Sequence, residues 1–195
     1  MGRPVNDARP VELLDAIVRH LVRHGISALS LRPLAKAVGS SPRVLLYYFG
    51  SSERMVARAV ARLRDRQRQQ YLQLYAWRSD SPADAYFAIW KTMSSPSSEP
   101  LFRLFFEIYG LAVRRPRRYR SFLSATVNDW LDAVDDPAAR KRFGRQRSRA
   151  LATVIVAGFR GFMLDYLASR DRPRVDRAVK LWLASLEDFM GVADA

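Results

Sequence analysis

The only two histidines, His20 and His24, stand four residues apart, the separation that lets two imidazoles on one helical turn share a metal ion. Zinc wants three or four ligands, and no carboxylate pattern completes the set, so no metal site is expected. The chain has no cysteine, which removes disulfides, thiol nucleophiles and every thiolate metal site. It also lacks a glycine-rich phosphate loop, a histidine-based nucleophile–base pair and paired carboxylates in an evident cleft. An enzyme is therefore not expected, nor a cofactor. What remains is arginine. Of the 33 basic residues only Lys36, Lys91, Lys141 and Lys180 are lysine. The planar guanidinium fork suits phosphate and guanine, although a GC-rich genome yields the same bias with no functional meaning. The chemistry to be accounted for is recognition of an anion.

Charge agrees with that reading. The 195 residues carry 33 basic and 19 acidic side chains, a net +14, which points to nucleic acid or a membrane surface as partner. The apolar fraction of 49% and charged fraction of 27% are those of a globular chain. Met1 to Pro10 is polar and carries no apolar secretion signal. The longest apolar stretch, Ala150 to Phe159, is about half a membrane span and is closed by Arg149 and Arg160. A soluble, cytoplasmic protein with no membrane partner is expected. The basic excess is concentrated at the front, with a net +8 over residues 1–70 against +6 over residues 71–195. Aromatic residues run the other way, since Tyr47, Tyr48 and Phe49 are the only three before residue 70. A small basic module on a larger helical body fits both gradients.

Apolar spacing is helical nearly throughout, with no convincing alternating strand. Leu14, Ile17, Val18 and Leu21 form one face of a first helix that Gly25 ends. Ser30 is the expected N-cap of a short helix with the stripe Leu31, Leu34, Ala35 and Val38, in which Pro33 falls in the first turn where a missing N–H costs little. Gly39 ends it in a left-handed conformation. Ser41 and Pro42 read as N-cap and first residue of a third helix to about Phe49, and Gly50-Ser51-Ser52-Glu53 opens a long fourth. Further helices are expected from Ser81-Pro82 and over roughly 100–114, 118–134, 146–169 and 173–191, about nine in all. In the 31–50 window Ala35 sits where two short helices approach and Leu45 and Phe49 face inward. Pro42, Arg43, Val44, Leu46 and Tyr47 are left outward. This is helix-turn-helix geometry, whose second helix enters the major groove; an ordinary pair of packed helices has the same spacing.

From Arg9 to about Val60 the sequence resembles the TetR family of transcriptional regulators. The resemblance is carried by Arg9, Leu13-Leu14-Asp15-Ala16, Gly25-Ile26, the run from Ser30 to Ser41, and Leu45-Leu46-Tyr47-Tyr48-Phe49-Gly50-Ser51-Ser52-Glu53. Residues 61–195 are similar only in size and helical character. Three positions depart from the family pattern. Leu46 stands where the first Tyr is usual. Ser52 replaces a common lysine, so that its phosphate contact is lost or passed to Arg54. Val44 replaces a Thr. The resemblance implies an all-α fold, with a three-helix DNA-binding domain over residues 1–52 and a larger ligand-binding and dimerisation domain over 53–195.

Chemistry assigns roles within that frame. Arg43 is the choice for a bidentate contact to guanine O6 and N7, and Val44 for a thymine methyl. Tyr47 is placed to donate to phosphate, while Ser41, Lys36 and the Ser30 or Ser51 cap regions reach phosphates through side chains or helix amino ends. Pro42 and Leu46 share the exposed face; Tyr48 is expected to pack. Arg3, in the arm Gly2-Arg3-Pro4, is a minor-groove candidate or part of a disordered tail. One bidentate contact supplies about 1–3 kcal/mol of discrimination, whereas specific binding needs roughly 4–10 kcal/mol over non-specific. Two copies on a palindromic operator are required.

In the body, the helix from about Arg147 to Leu167 is apolar almost all round and must be covered on two sides. Gly158 and Gly161 allow close helix approach. The final helix carries Val175, Ala178, Val179, Trp182, Leu186 and Phe189 on one stripe, with Leu181 and Leu183 outside it. All of this serves as plain core; the resemblance instead places a dimer interface on these last two helices, with Phe159, Phe162, Tyr166, Trp182, Leu186 and Phe189 as candidates. It also implies a ligand cavity, for which Trp90, Phe106, Tyr109, Phe87, Phe122 and Trp130 are candidate walls suited to an apolar or aromatic effector. Most of these aromatics are expected simply to pack. Glu107, four residues after Arg103, is expected in an exposed ion pair. The basic runs Arg114–Arg120 and Arg140–Arg149 read mainly as solvated loops and helix ends, otherwise as further anion contacts. The leading expectation is a homodimeric repressor released from DNA by a small molecule. The alternative is a DNA-binding regulator or architectural binder without an effector, controlled by concentration or a protein partner.

Overall fold

The computed structural model describes residues 8–26, 30–76, 81–117, 119–135 and 137–191. Among them are ten helices and no strand: α1 (Ala8–His24), α2 (Leu31–Ala37), α3 (Pro42–Phe49), α4 (Ser52–Ala76), α5 (Pro82–Met93), α6 (Glu99–Arg114), α7 (Arg120–Val134), α8 (Pro137–Phe143), α9 (Arg145–Ser169) and α10 (Arg172–Gly191). The element missing from the sequence reading is α8. It lies inside the expected basic loop, starting on Pro137 and closed by Gly144 at φ 78°.

Caps explain the short elements. The Ser41 hydroxyl accepts from the N–H of Val44 at 3.3 Å, and Pro42 supplies a preset φ at the first helical residue of α3. Ser51 caps α4, its Oγ accepting from Arg54 N at 3.2 Å and its carbonyl from Met55 N at 2.9 Å. Ser30 has N-cap backbone geometry without a side-chain cap bond. Gly39 takes φ 65° at the turn between α2 and α3, where any Cβ would be strained.

Two cores hold the helices. The first joins Leu13, Ile17 and Leu21 of α1 to Leu34 and Ala35, to Leu45 and Phe49, and to Met55, Val56 and Ala59 of α4. It continues into Leu104, Ile108 and Ala112 of α6 and Phe122 of α7. This cluster therefore runs across the expected division after residue 52. The second is built from Ile89, Trp90 and Met93 of α5, Phe102 of α6, Ile155, Phe159, Met163 and Tyr166 of α9, and Val175, Val179 and Leu183 of α10. Leu183, read from the sequence as off the stripe, is buried, and Leu181 is 73% exposed.

α9 is long and apolar enough to cross a membrane by length and composition, the one such helix among the described residues. The expectation of a stretch half that length stopped at Arg160, yet beyond it only Asp165 interrupts the run to Leu167. Its Ala152, Ile155, Phe159, Met163 and Tyr166 face is core, as in the central helix of a folded domain.

Candidate functional site

α3 is eight residues long, and its two faces differ sharply. Leu45 and Phe49 are buried under α1 and α4, while Arg43, Val44, Leu46 and Tyr47 are exposed. Tyr47 is 78% exposed, an unusual position for a large aromatic side chain, and its ring meets Tyr48 edge-on at 5.1 Å. Tyr48 is half-buried against the first core. Pro42 is half-buried; Ser41, Lys36 and Arg54 are exposed beside the same face. The Ser41 oxygen caps α3, which leaves its O–H free to donate. The Arg54 side chain folds back over Gly50, whose φ of 79° closes α3. Arg58 donates to the Tyr48 carbonyl at 3.2 Å and lies over the Phe49 ring, tying the end of α3 to α4. Arg9 reaches the Gly39 carbonyl at 3.4 Å and so ties α1 to the turn. Arg3 lies outside the described residues.

Ion pairs that the sequence pattern did not reveal join α1 to α4 and α4 to α7. Asp15 of α1 accepts from Arg62 at 3.1 Å and Arg66 at 2.8 Å, both on α4. The Arg62 hydrogen bond, with the charge of Arg66 behind it, holds the Asp15 carboxyl below its ordinary range against the opposing cost of burial. Arg64 on the next face of α4 pairs with Asp129 of α7 at 3.0 Å. Glu107 does not pair with Arg103, which instead meets Glu99 at 3.0 Å. Glu107 faces inward and its Oε2 accepts from the N–H of Ile26 at 2.9 Å, bridging α6 to the end of α1.

A cavity of about 290 Å³ lies between α4, α5, α6, α7 and α9. Of the six expected wall residues only Trp130 lines it; Tyr86, Ile89, Phe102, Phe105 and Phe159 supply the rest of its apolar surface. The other five are committed elsewhere. Trp90 is fully buried, its indole donating to Asp176 at 2.6 Å. Phe87 lies under the ammonium groups of Lys91 and Lys180. Phe106 packs against the second core, while Phe122 and Tyr109 pack at the first. Two of the expected interface residues are likewise internal. Phe159 and Tyr166 are buried in the second core, where Phe159 meets Trp182 edge-on at 5.4 Å and the Tyr166 hydroxyl donates to Glu99 at 2.8 Å. Phe162, Trp182 and Leu186 are half-buried on the same core, and the side chain of Phe189 lies outside the described residues. Phe159 and Tyr166 are thus covered within their own subunit, whereas Phe162, Trp182 and Leu186 keep part of their surface exposed.

The basic runs also acquire roles. Arg140 and Arg149 pair with Asp135 at 2.9 and 3.7 Å, and Arg149 with Asp132 at 2.5 Å. Arg142 and Arg147 stack on Phe143. Arg114, Arg115 and Arg117 are exposed. His20 and His24 lie with ring centroids 4.5 Å apart, and no group of three or more His, Cys, Asp or Glu side chains gathers among the described residues.

An exposed, capped second helix behind a tight turn, backed by a helical body, is the architecture of a helix-turn-helix transcriptional regulator. Residues 13–59 match the family described as bacterial regulatory proteins, tetR family. The front of the chain, from α1 into the start of α4, is thus similar to the DNA-binding domain of that family. Several solved structures share its fold. A transcriptional regulator from Rhodococcus sp. Rha1 has 19% identity and a TM-score of 0.72, covering 90% of this chain and 94% of its own. A TetR-family regulator from Mesorhizobium loti has 15% identity and a TM-score of 0.72, with 96% and 98% covered. GusR of Salmonella enterica has 17% identity and a TM-score of 0.65, with 95% and 97% covered. No curated protein matches in sequence.

Proposed function

We propose that the protein is a homodimeric repressor that binds a palindromic operator through α3 of each subunit and is released by a small molecule held in the cavity. The outward display of Arg43, Val44, Leu46 and Tyr47 on a capped helix carries this reading. Arg43 reads guanine through its fork, Val44 meets a thymine methyl, and Tyr47, Lys36, Ser41 and Arg54 serve phosphates. Leu46 and Pro42 border the base edges. The departures from family pattern at 44 and 46 make this edge more apolar, which favours thymine methyls over hydroxyl-mediated contacts.

Two further features support dimerisation and release. On α9 the exposed residues Ala150, Val154, Ala157, Gly161, Leu164 and Ala168 recur at three- and four-residue steps, forming a continuous small and apolar stripe opposite the core face. On α10 Leu181 is exposed as well. α4 links both ends of the molecule, with Met55 and Val56 under the reading helix and Gln67, Arg68 and Leu72 at the cavity. A ligand that repositions the distal end of α4 changes the spacing of two reading heads, which must match about one helical turn, roughly 34–36 Å. The cavity, at about 290 Å³, is close to the lower bound of small-molecule sites, roughly 300–1,000 Å³, and its presence favours an effector over control by concentration alone.

Selection of bound sequences from a random duplex pool tests the reading. A palindrome should emerge. Arg43→Ala should cost about 1–3 kcal/mol and relax sequence choice at one position of each half-site. An equal loss on operator and on random DNA would overturn the assignment of Arg43 as a base reader.

A further inference from the structure

We infer that the ligand of the cavity is an apolar molecule with a carboxylate head, gripped by the guanidinium groups of Arg68 and Arg160. The inference rests on the cavity being an effector site and names the chemistry of that effector.

Four charged side chains line the cavity: Arg68, Asp132, Asp135 and Arg160. The two acids are already matched from outside it. Asp135, itself buried, takes Arg140, Arg149 and the Ser148 hydroxyl at 2.5 Å, and Asp132 takes Arg149. The guanidinium groups that neutralise them do not line the cavity. The nearby Asp129 is held by Arg64. The two lining arginines have no such partner among the described residues. Arg160 donates through Nη2 to the Thr126 carbonyl at 2.6 Å and otherwise lies over the rings of Phe105 and Tyr109 at 5.9 and 5.8 Å. The Nε of Arg68 is buried with no acceptor, and so is the hydroxyl of Thr126 beside the Arg160 contact.

A guanidinium does not shed its proton to escape burial. Burial does pull the Arg160 group below the ordinary arginine range, with only the Tyr109 hydroxyl opposing it. Two cations without an acid partner therefore face a chamber whose acids are already paired and whose remaining walls are mainly apolar, among them Tyr86, Phe102, Phe105 and Trp130. An uncharged ligand leaves them so, and an ammonium adds repulsion. A carboxylate takes a fork from each side and leaves its hydrocarbon or aromatic body on the rings.

Two fluorescent probes that differ in charge separate the possibilities: anilinonaphthalene sulfonate, and phenylnaphthylamine, which shares its rings but lacks the anion. The wild-type protein should bind the sulfonate about 10- to 100-fold tighter, the equivalent of a charge-assisted hydrogen bond. Decanoate should displace it where decanol does not. Arg68→Met with Arg160→Met should abolish the preference while retaining phenylnaphthylamine. Arg68→Met alone, at a half-exposed position, should lose part of it and keeps the test open should the double variant not fold. Equal binding of both probes, or a preference that survives the substitutions, overturns the carboxylate assignment and leaves the effector site standing. Failure of both probes to bind the folded protein overturns the two together.

Discussion

Two glycines of α9 look alike in the sequence, but only one of them is tightly covered by a neighbouring helix. The six-membered ring of the Trp182 indole lies across Gly158, where a Cβ would overlap it, whereas nothing stands within 4 Å of a Cβ at Gly161. Gly158→Ala must push the indole off Phe159 and Phe162, which it contacts at 5.4 and 5.3 Å. Overpacking of that kind costs about 1–3 kcal/mol, more than the roughly 0.5–1 kcal/mol that removing a helical glycine returns. Thermal unfolding should therefore show a lowered Tm for Gly158→Ala. Gly110→Ala, at an exposed position of α6 with open space around its Cβ, should raise it. A rise in both would mean that Trp182 yields freely. The same one-residue sensitivity explains why the cavity walls were largely unreadable. Phe102, Phe105, Phe106 and Tyr109 all satisfy helical spacing, yet Phe102 and Phe105 reach the cavity and Phe106, a turn of about 100° further, does not. A helix that is apolar on nearly every face carries no mark of which face meets the void. By contrast α3 was legible, because Leu45 and Phe49 are apolar positions whose spacing assigns the remaining residues to the outside.

Elements are joined here by carboxylates that each collect several donors. Asp15 ties α1 to α4 through Arg62 and Arg66, Glu99 ties α6 to α9 through Tyr166 and Arg170, and Asp135 ties α7 to the segment around α8 through Arg140 and Ser148. Each is held below the ordinary carboxylate range, chiefly by Arg62, Tyr166 and Arg140 respectively. A group whose folded-state value is depressed contributes stability above its unfolded value, about pH 4, and loses it as the pH falls through the lower folded value. Tm attributable to these groups should accordingly be flat down to about pH 5 and fall below pH 4, and Asp135→Asn should flatten the acid limb. A different link is exposed by Glu107→Ala. It strips the acceptor from the N–H of Ile26, a buried residue, at a cost of about 1–3 kcal/mol. Chemical denaturation should register that loss, whereas Glu12→Ala, whose pair with Arg9 is exposed, should change little. None of these partners is visible in the sequence, since Asp15 and Arg62 are brought together only by the crossing of α1 and α4. The helix that escaped notice, α8, did carry its signals, a first-turn proline and a closing glycine, but they were masked by the density of arginine between them.

At the scale of the whole molecule the question is what covers the second face of α9. The core consumes Ala152, Ile155, Phe159, Met163 and Tyr166, and the opposite stripe from Ala150 to Ala168 remains exposed. Of the aromatics that the sequence offered as interface residues, Phe159 and Tyr166 are buried inside the subunit, and most residues of the exposed stripe are small. Small residues let two helices approach closely, so a second copy can lay its own α9 along this stripe and bury both. One subunit with a single bidentate base contact supplies about 1–3 kcal/mol of discrimination against the roughly 4–10 kcal/mol that specific binding requires, so separation of the subunits should cost most of the sequence preference and not merely half of the contacts. Leu164→Arg places a charge in the middle of the stripe without touching the core or α3. Sedimentation should then report a monomer in place of a dimer, with helicity unchanged. Affinity for the selected palindrome should fall towards the value for random duplex while binding to random duplex persists through the basic front of the chain. A Leu164→Arg protein that still sediments as a dimer would mean that the subunits meet elsewhere. One that is monomeric yet retains full preference for the palindrome would mean that a single α3 reads far more of the operator than Arg43 and Val44 account for.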